Sequence, residues 1–263
     1  TKLYEFKTMK ILLTGSNGYI GKALAKGLSD HELILLHRDI CDLSDEGQVN
    51  KFFIDQIFDV VIHCAAAGGS RLKGDTPEVL RKNLLMFLNL HKHKEKFGKF
   101  IHFGSGAQYH AKDTYYGLSK HVISDLMRNE DNFFNLILYG IFDENEISTR
   151  FIKSCVNNCK NNKNIIVHRN KNMDFFHMED LLKIVDEYID GTRKNASVEC
   201  VYFQCFDLCS IARMVISQIG STSEIILGEP GLTKPYTRIG KEYLPGNLDE
   251  RIKQTVHKIL PIQ

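Results

Sequence analysis

The chain has 263 residues, 43% hydrophobic and 25% charged, with a formal net charge of +2. A chain this long buries roughly 75% of its unfolded surface, so it needs neither a metal nor a disulfide to hold a core. The near-neutral balance argues against nucleic acid or an anionic membrane as partner, and the longest apolar runs, such as "VVIHCAAA", fall far short of the roughly 20 residues that span a bilayer.

The first half alternates apolar runs with amphipathic stretches. "KILLTG" reads as a strand and 18–28 as a helix; "ELILLH" is a second strand, followed by a helix at 46–53. "DVVIHCAA" and a helix at 77–94 come next, then "KFIHFGS" with a helix at 115–130, then "FFNLILYG". These strands are continuously apolar rather than alternating, as strands buried on both faces of a parallel sheet are. The rhythm predicts an α/β fold: a Rossmann-type doubly wound parallel sheet with right-handed crossovers, over 9–145. Beyond it, a small C-terminal α/β substrate lobe is expected over 146–263. Its helices are predicted at 147–160, 179–190, 208–219 and 248–260, and its short strands at 165–168, 174–177 and 201–204. "GEPGLTKPYTRIGKEYLPG" reads as a surface loop from its turn residues.

Seven cysteines, an odd count, occur with no apolar signal-peptide core in the first ten residues. This composition predicts a cytoplasmic protein with reduced thiols. Cys155/Cys159 and Cys205/Cys209 share a spacing, but neither is a C-x-x-C and no nearby histidine completes a set. No metal site is expected.

"LLTGSNGYIGKAL" places Gly15, Gly18 and Gly21 between the first strand and its helix. Glycines there permit a tight turn and close approach of the backbone to a pyrophosphate. The helix N-terminus, with Asn17, Tyr19 and Ile20, offers N–H groups to phosphate. The second strand ends in His37-Arg38, a cation where NAD sites place an acid. Arg38 suits a 2′-phosphate through charge-assisted contacts, so the expected cofactor is NADPH/NADP, although Asp39 follows immediately. Asp42 and Leu43 are then expected against the adenine, and Ala65, Ala66 and Ala67 beside the cofactor.

Tyr116 and Lys120 are four apart on a predicted helix and share a face. An ammonium beside a phenol favours phenolate and makes Tyr116 a usable proton donor or acceptor for a carbonyl–carbinol pair. Ser105, just past the fourth strand, is positioned to bond the same oxygen. Tyr-x-x-x-Lys alone is a common helix pair; its order after the glycine loop and the post-strand serine gives it meaning.

Together "TGSNGYIG", "CDLSD", "VVIHCAAAGG", Asn83, "FGSGAQY", "YYGLSK", "LILYGIF" and "FFHMEDL" resemble the extended short-chain dehydrogenase/reductases that modify nucleotide sugars. They span about 10–190 in family order. The resemblance implies a catalytic Ser105, Tyr116 and Lys120, with Asn83 near the active site and Tyr139, Gly140 and Ile141 bordering the nicotinamide. Tyr109 resembles a pocket-lining tyrosine. His177 and Asp180 resemble a family element whose aspartate is read here as a helix cap. A homodimer built on 77–94 and 115–130 is also implied.

Within this branch, dehydratases place an Asp-Glu pair after the serine, whereas this chain has Gly106, Ala107 and Gln108. The overall pattern is most similar to the GDP-fucose synthase family. There a cysteine stands at the position of Ala107 and a histidine in the segment matching "FDENEISTRFIKS"; both are missing here, and Met173 replaces an arginine. The expectation is an NADPH-dependent C4 reductase of a nucleotide-linked 4-keto-6-deoxy sugar, GDP-linked hexose or heptose, without 3,5-epimerase activity. Three alternatives stand beside it: a redox-neutral 4-epimerase with tightly bound NAD, an enzyme like dTDP-4-dehydrorhamnose reductase, and a non-catalytic dinucleotide-binding protein. Sugar contacts are expected from Gly69, Arg71, Ser105, Ala107, Gln108 and Tyr116, and base or diphosphate contacts from Arg169, Lys234, Tyr236 and Arg238.

Overall fold

The computed structural model describes residues 7–70 and 73–260; Arg71 lies outside the described residues. Strand β1 (Lys10–Thr14) feeds helix α1 (Tyr19–Gly27), and β2 (Glu32–Leu36) feeds α2 (Glu46–Phe52). Asp45 caps α2 by accepting from the Gln48 N–H at 3.0 Å. Then come β3 (Phe58–His63), α3 (Pro77–His91), β4 (Phe97–Ser105), the short α4 (Ala107–His110), α5 (Tyr115–Met127) and β5 (Phe133–Leu138). Pro77 occupies the first turn of α3, where its missing N–H leaves nothing unsatisfied. Thr114 caps α5 by accepting from Gly117 N at 3.0 Å.

Later elements are β6 (Ile141–Phe142), α6 (Phe151–Lys160), β7 (Ile165–Asn170), β8 (Asn172–Met173), β9 (Phe176–His177) and α7 (Met178–Asp190). The last are β10 (Ser197–Glu199), β11 (Phe206–Asp207), α8 (Leu208–Ile219), β12 (Ile225–Leu232) and α9 (Leu248–Ile259).

Six strands form the central sheet in the order β10-β5-β4-β3-β1-β2. The pairs β1–β2, β1–β3 and β3–β4 are parallel, giving the Rossmann-type doubly wound arrangement. The chain order reverses outward from β1 and β3, and the ends of these strands are where such folds bind ligands. The core under this point is aromatic: Phe53, Phe58, Phe87, Phe97, Phe100 and Phe133 are all buried, with Phe100 and Phe133 stacked at 4.7 Å.

Two compact units divide the chain. One comprises 1–137 with 182–198, the other 138–181 with 199–263. The second unit contains three two-stranded pairs, β11–β8, β12–β7 and β6–β9. Two sequence expectations are corrected in this half. Residues 201–204 form no strand; the strand lies at Ser197–Glu199, joining the edge of the central sheet next to β5. The turn-rich loop begins as β12, which pairs in parallel with β7. A register shift between Glu229 and Leu232 accommodates Pro230 and Gly231, so turn residues here mark an irregularity within a strand rather than its absence.

Candidate active site

The glycine loop bends where a side chain would not fit. Gly15 has φ +65°, and a Cβ there would stand 2.6 Å from Ala65 N. A Cβ on Gly21 would collide with the Gly15 carbonyl. The α1 N-cap is Gly18, which makes no side-chain cap to the first turn of the helix. A cleft of about 380 Å³ opens above this loop. Gly15, Asn17, Gly18, His37, Arg38, Asp42, Leu43, Ala65 and Ala66 line it, as do Leu36, Asp39, Cys41, Cys64 and Met86. Backbone too close for a Cβ, a helix N-terminus without a side-chain cap and a cation at the far rim fit a dinucleotide phosphate.

At that rim Arg38 is exposed and takes part in no ion pair among the described residues. His37 Nδ1 lies 3.4 Å from Asp39 Oδ2. Asp42 accepts from Ser44 through N–H at 2.9 Å and Oγ at 2.7 Å. These bonds, then Arg38 and Lys82 nearby, hold its carboxyl below the usual carboxylate range. "CDLSD" is thus first a turn-and-cap device.

Ser105 ends β4 and is buried, while Tyr116 and Lys120 lie on α5. The Ala107 N–H donates to Ser105 Oγ at 3.2 Å, fixing the hydroxyl oxygen. Lys120 is 4% exposed; its Nζ donates to the Phe103 carbonyl at 2.6 Å and lies 5.8 Å from the centre of the Tyr116 ring. Burial pulls the Lys120 ammonium down to about 8, against a smaller opposing effect of Cys64. Gly69, at φ +71°, lies against Tyr116: a Cβ there would be 3.0 Å from the ring. Tyr115 is 41% exposed, while its neighbour Tyr116 is half-buried.

Asn83 ties these parts together. Its Oδ1 accepts from Ala67 N at 2.7 Å, and its Nδ2 donates to the Ala67 carbonyl at 3.1 Å and to Ser119 Oγ at 2.9 Å. Ser119 Oγ in turn donates to the Tyr116 carbonyl at 2.7 Å. One buried amide therefore fixes the loop after β3 to the helix bearing Tyr116. Ser119 has no role in the sequence reading; the hydroxyl three residues after Tyr116, back-bonding its own helix, is the signal. Gln108, 1% exposed, accepts from Ser105 N at 3.4 Å and donates to Ser124 Oγ at 3.4 Å, so both ends of its amide are engaged in scaffolding.

The second unit holds the other nominated residues, engaged with their own surroundings. The Tyr139 hydroxyl donates to Glu199 Oε1 at 2.5 Å, and a Cβ on Gly140 would meet Phe175 at 2.8 Å. Ile141 and Met173 are buried and apolar. Arg169 pairs with Glu229 at 3.0 Å across the exposed β7–β12 surface. Arg238 donates to the carbonyls of Tyr202 at 2.5 Å and Phe203 at 3.3 Å. Lys234 is exposed, and Tyr236 stacks edge-on with Tyr139 at 5.5 Å. Asp180 accepts from the Tyr202 hydroxyl at 2.6 Å and from Arg251 through two nitrogens, with Nε at 2.8 Å. His177, fully buried, gives its N–H to the Tyr202 hydroxyl at 3.1 Å.

The profile of the NAD dependent epimerase/dehydratase family matches residues 11–199, from the glycine loop through the Tyr116–Lys120 helix. The chain belongs to this family. No curated protein matches its sequence. Solved structures of family-like fold include GDP-mannoheptose C4 reductase from Campylobacter jejuni with NADP bound. It is 15% identical, with a TM-score of 0.79, over 95% of this chain and 98% of that one. A GDP-L-fucose synthetase from Naegleria fowleri bound to NADP is 18% identical, with a TM-score of 0.72, over 95% and 92%. The Bordetella bronchiseptica enzyme WbmG in complex with NAD is 17% identical, with a TM-score of 0.81, over 98% and 96%. The epimerase/dehydratase fold is therefore shared with reductases, a synthetase and an NAD-bound enzyme alike. Among the described residues, no helix is long and apolar enough to cross a membrane, and no group of three His, Cys, Asp or Glu residues could hold a metal ion.

Proposed function

We propose that the protein is a cytoplasmic NADPH-dependent reductase of the C4 ketone of a nucleotide-linked 4-keto-6-deoxy sugar, without 3,5-epimerase activity. What supports this reading is Lys120 Nζ 5.8 Å from the centre of the Tyr116 ring, and Ser105 Oγ held by the N–H of Ala107, whose side chain is a methyl group where epimerisation would need a base. NADPH, when bound, supplies the hydride. Tyr116 would give its phenolic proton to the C4 oxygen as C=O becomes CH–OH. The Lys120 ammonium under the ring stabilises the phenolate left behind. Ser105, its oxygen held by the Ala107 N–H, hydrogen-bonds the same C4 oxygen.

Arg38 and His37 hold the 2′-phosphate in this reading; Gly15, Asn17, Gly18, Tyr19, Ile20 and Gly21 hold the pyrophosphate. Residues 9–145 bind the cofactor and 146–263 the nucleotide sugar. A GDP-linked hexose or heptose is favoured because the mannoheptose C4 reductase and the fucose synthetase of similar fold carry GDP sugars in their names. The exposed Leu88 on α3 and Leu126 on α5 support a homodimer through these helices.

The test is incubation with GDP- and dTDP-4-keto-6-deoxy sugars, NADPH and deuterated water. Loss of NADPH absorbance without deuterium at C3 or C5 is expected; deuterium at either carbon sinks the reductase-only reading. A second reading, a 4-epimerase retaining NAD, draws on Asp39 in the cleft wall and on the NAD-bound neighbour. Sugar conversion with no net NADPH consumption would favour it.

A further inference from the structure

Lys120 has a second neighbour in the sheet. Its Nζ lies 3.5 Å from His102 Nε2, within hydrogen-bond reach. His102 sits on β4, three residues before Ser105, and is 1% exposed. Its ring stacks on His63 at 5.5 Å and stands edge-on to Phe87 at 6.4 Å. His63 is itself engaged, with Nδ1 2.8 Å from Thr14 Oγ1.

An imidazole is a poor choice for packing alone at this position. A buried polar group is unfavourable unless it is hydrogen-bonded, and His102 Nδ1 has no partner among the described residues. The surroundings include Phe87 and, beyond His63, Phe100. A phenylalanine would fill such a stack without stranding a nitrogen. What the imidazole adds over a phenyl ring is Nε2, and Nε2 meets Lys120.

We propose that His102 is a positioning residue for the Lys120–Tyr116 pair, its neutral ring accepting a hydrogen bond from the Lys120 ammonium at Nε2. This rests on the reading of Tyr116 and Lys120 as the proton-transfer pair. The groups facing Lys120 are His102 and the Phe103 carbonyl from β4, His63 and Cys64 at the end of β3, and Tyr116 from α5. Burial, then the Lys120 charge, keeps both imidazoles neutral: His63 is pulled down to about 3, and His102 falls well below its ordinary value. The Cys64 thiol is pushed up by burial and stays protonated. His102 therefore supplies a lone pair and no competing charge. With the Phe103 carbonyl it fixes two of the three ammonium donors and sets how readily Lys120 keeps its proton beneath Tyr116.

Removing an acceptor of the charged form lowers the pKa of that form. In His102→Phe, the Lys120 midpoint should fall from about 8 by about one further unit. His102→Gln, whose Oε1 reaches the Nε2 position, should restore most of the shift. The experiment is NMR titration of the full chain carrying ¹³C,¹⁵N-lysine and histidine, with Lys120→Met identifying the signal, in the absence of cofactor and sugar. Wild-type His102 should show the Nδ1–H tautomer. The alkaline limb of kcat/KM should move down with the lysine midpoint in His102→Phe, while Tm stays level or rises.

An unshifted Lys120 midpoint in His102→Phe overturns the inference. So does a wild-type His102 protonated at Nε2, which requires no variant to fold. Because the titration uses no substrate, a shifted midpoint in a protein that reduces no 4-keto sugar keeps this inference and sinks the reductase. An unshifted midpoint in an active reductase does the opposite.

Discussion

The two compact units use the same residue types differently. In the first, buried polar side chains converge on one locus: Asn83, Ser119, His102 and Lys120 all bond within reach of Tyr116. Of their buried polar side-chain atoms, His102 Nδ1 is the one left without a partner among the described residues. In the second unit, polar side chains close on one another. Arg251 clamps Asp180 and Glu179, Tyr202 bridges Asp180 to the His177 N–H, and Gln254 and Lys258 return to Glu179. Arg238 and Arg169, nominated from sequence as substrate contacts, are taken up by carbonyls and by Glu229. A charged residue in a lobe is thus not evidence of a ligand until its partners are known.

The largest effect that would sharpen this contrast lies in the first unit. Tyr116→Phe should lower kcat by a factor on the order of 10²–10⁴ with little change in NADPH affinity, followed by absorbance at 340 nm. Retained turnover would break the contrast. In the second unit, Arg251→Met should instead destabilise by about 3–5 kcal/mol, because Asp180 is left as a buried unpaired charge, read as a lowered denaturation midpoint.

Lys120→Met probes the first unit's tension between function and stability. Lys120 is pulled down to about 8 from an ordinary 10.5, so the unfolded chain binds more protons between these values and wild-type stability should rise with pH across that window. The variant, with no charge to bury, should lose activity yet melt higher than wild type at pH 7, and the gap should close towards pH 10.5. A variant that melts lower at pH 7 would show that the ammonium stabilises the fold.

Arg38→Ala should reduce the preference for NADPH over NADH by roughly ten- to a hundredfold, as loss of a charge-assisted contact does. Unchanged preference would move cofactor selection to His37. The smallest effect is expected at Arg169→Ala. Its exposed pair with Glu229 is worth about 0–1 kcal/mol, so stability should barely move, and a large rise in KM would restore its claim as a substrate contact.

Much of the first unit was legible because its signals are local. Continuous apolar runs such as "DVVIHC" suit strands covered on both faces, and the glycine spacing reports a turn that a Cβ would block. Tyr116 and Lys120 share a face by helix period alone. The short helix Ala107–His110 escaped notice because four residues carry no period. The parallel partner of β12 is some 60 residues away in the chain, so "LGEPGL" showed its turn residues and not its pairing. The edge strand at Ser197–Glu199 is three residues long and is defined by its neighbour β5 rather than by its own pattern.

By itself the sequence determined the alternation of strands and helices, the glycine turn and the order Ser105, Tyr116, Lys120. Each rests on interactions between residues close in the chain or on a backbone constraint at one position. Tertiary structure alone decided that Asn83 reaches Ser119, that His102 meets Lys120 across 18 residues, and that Arg238 serves backbone carbonyls. The physical reason is that a buried polar atom takes its meaning from the partner folding brings to it, and that partner lies on another element whose register and depth no local pattern encodes.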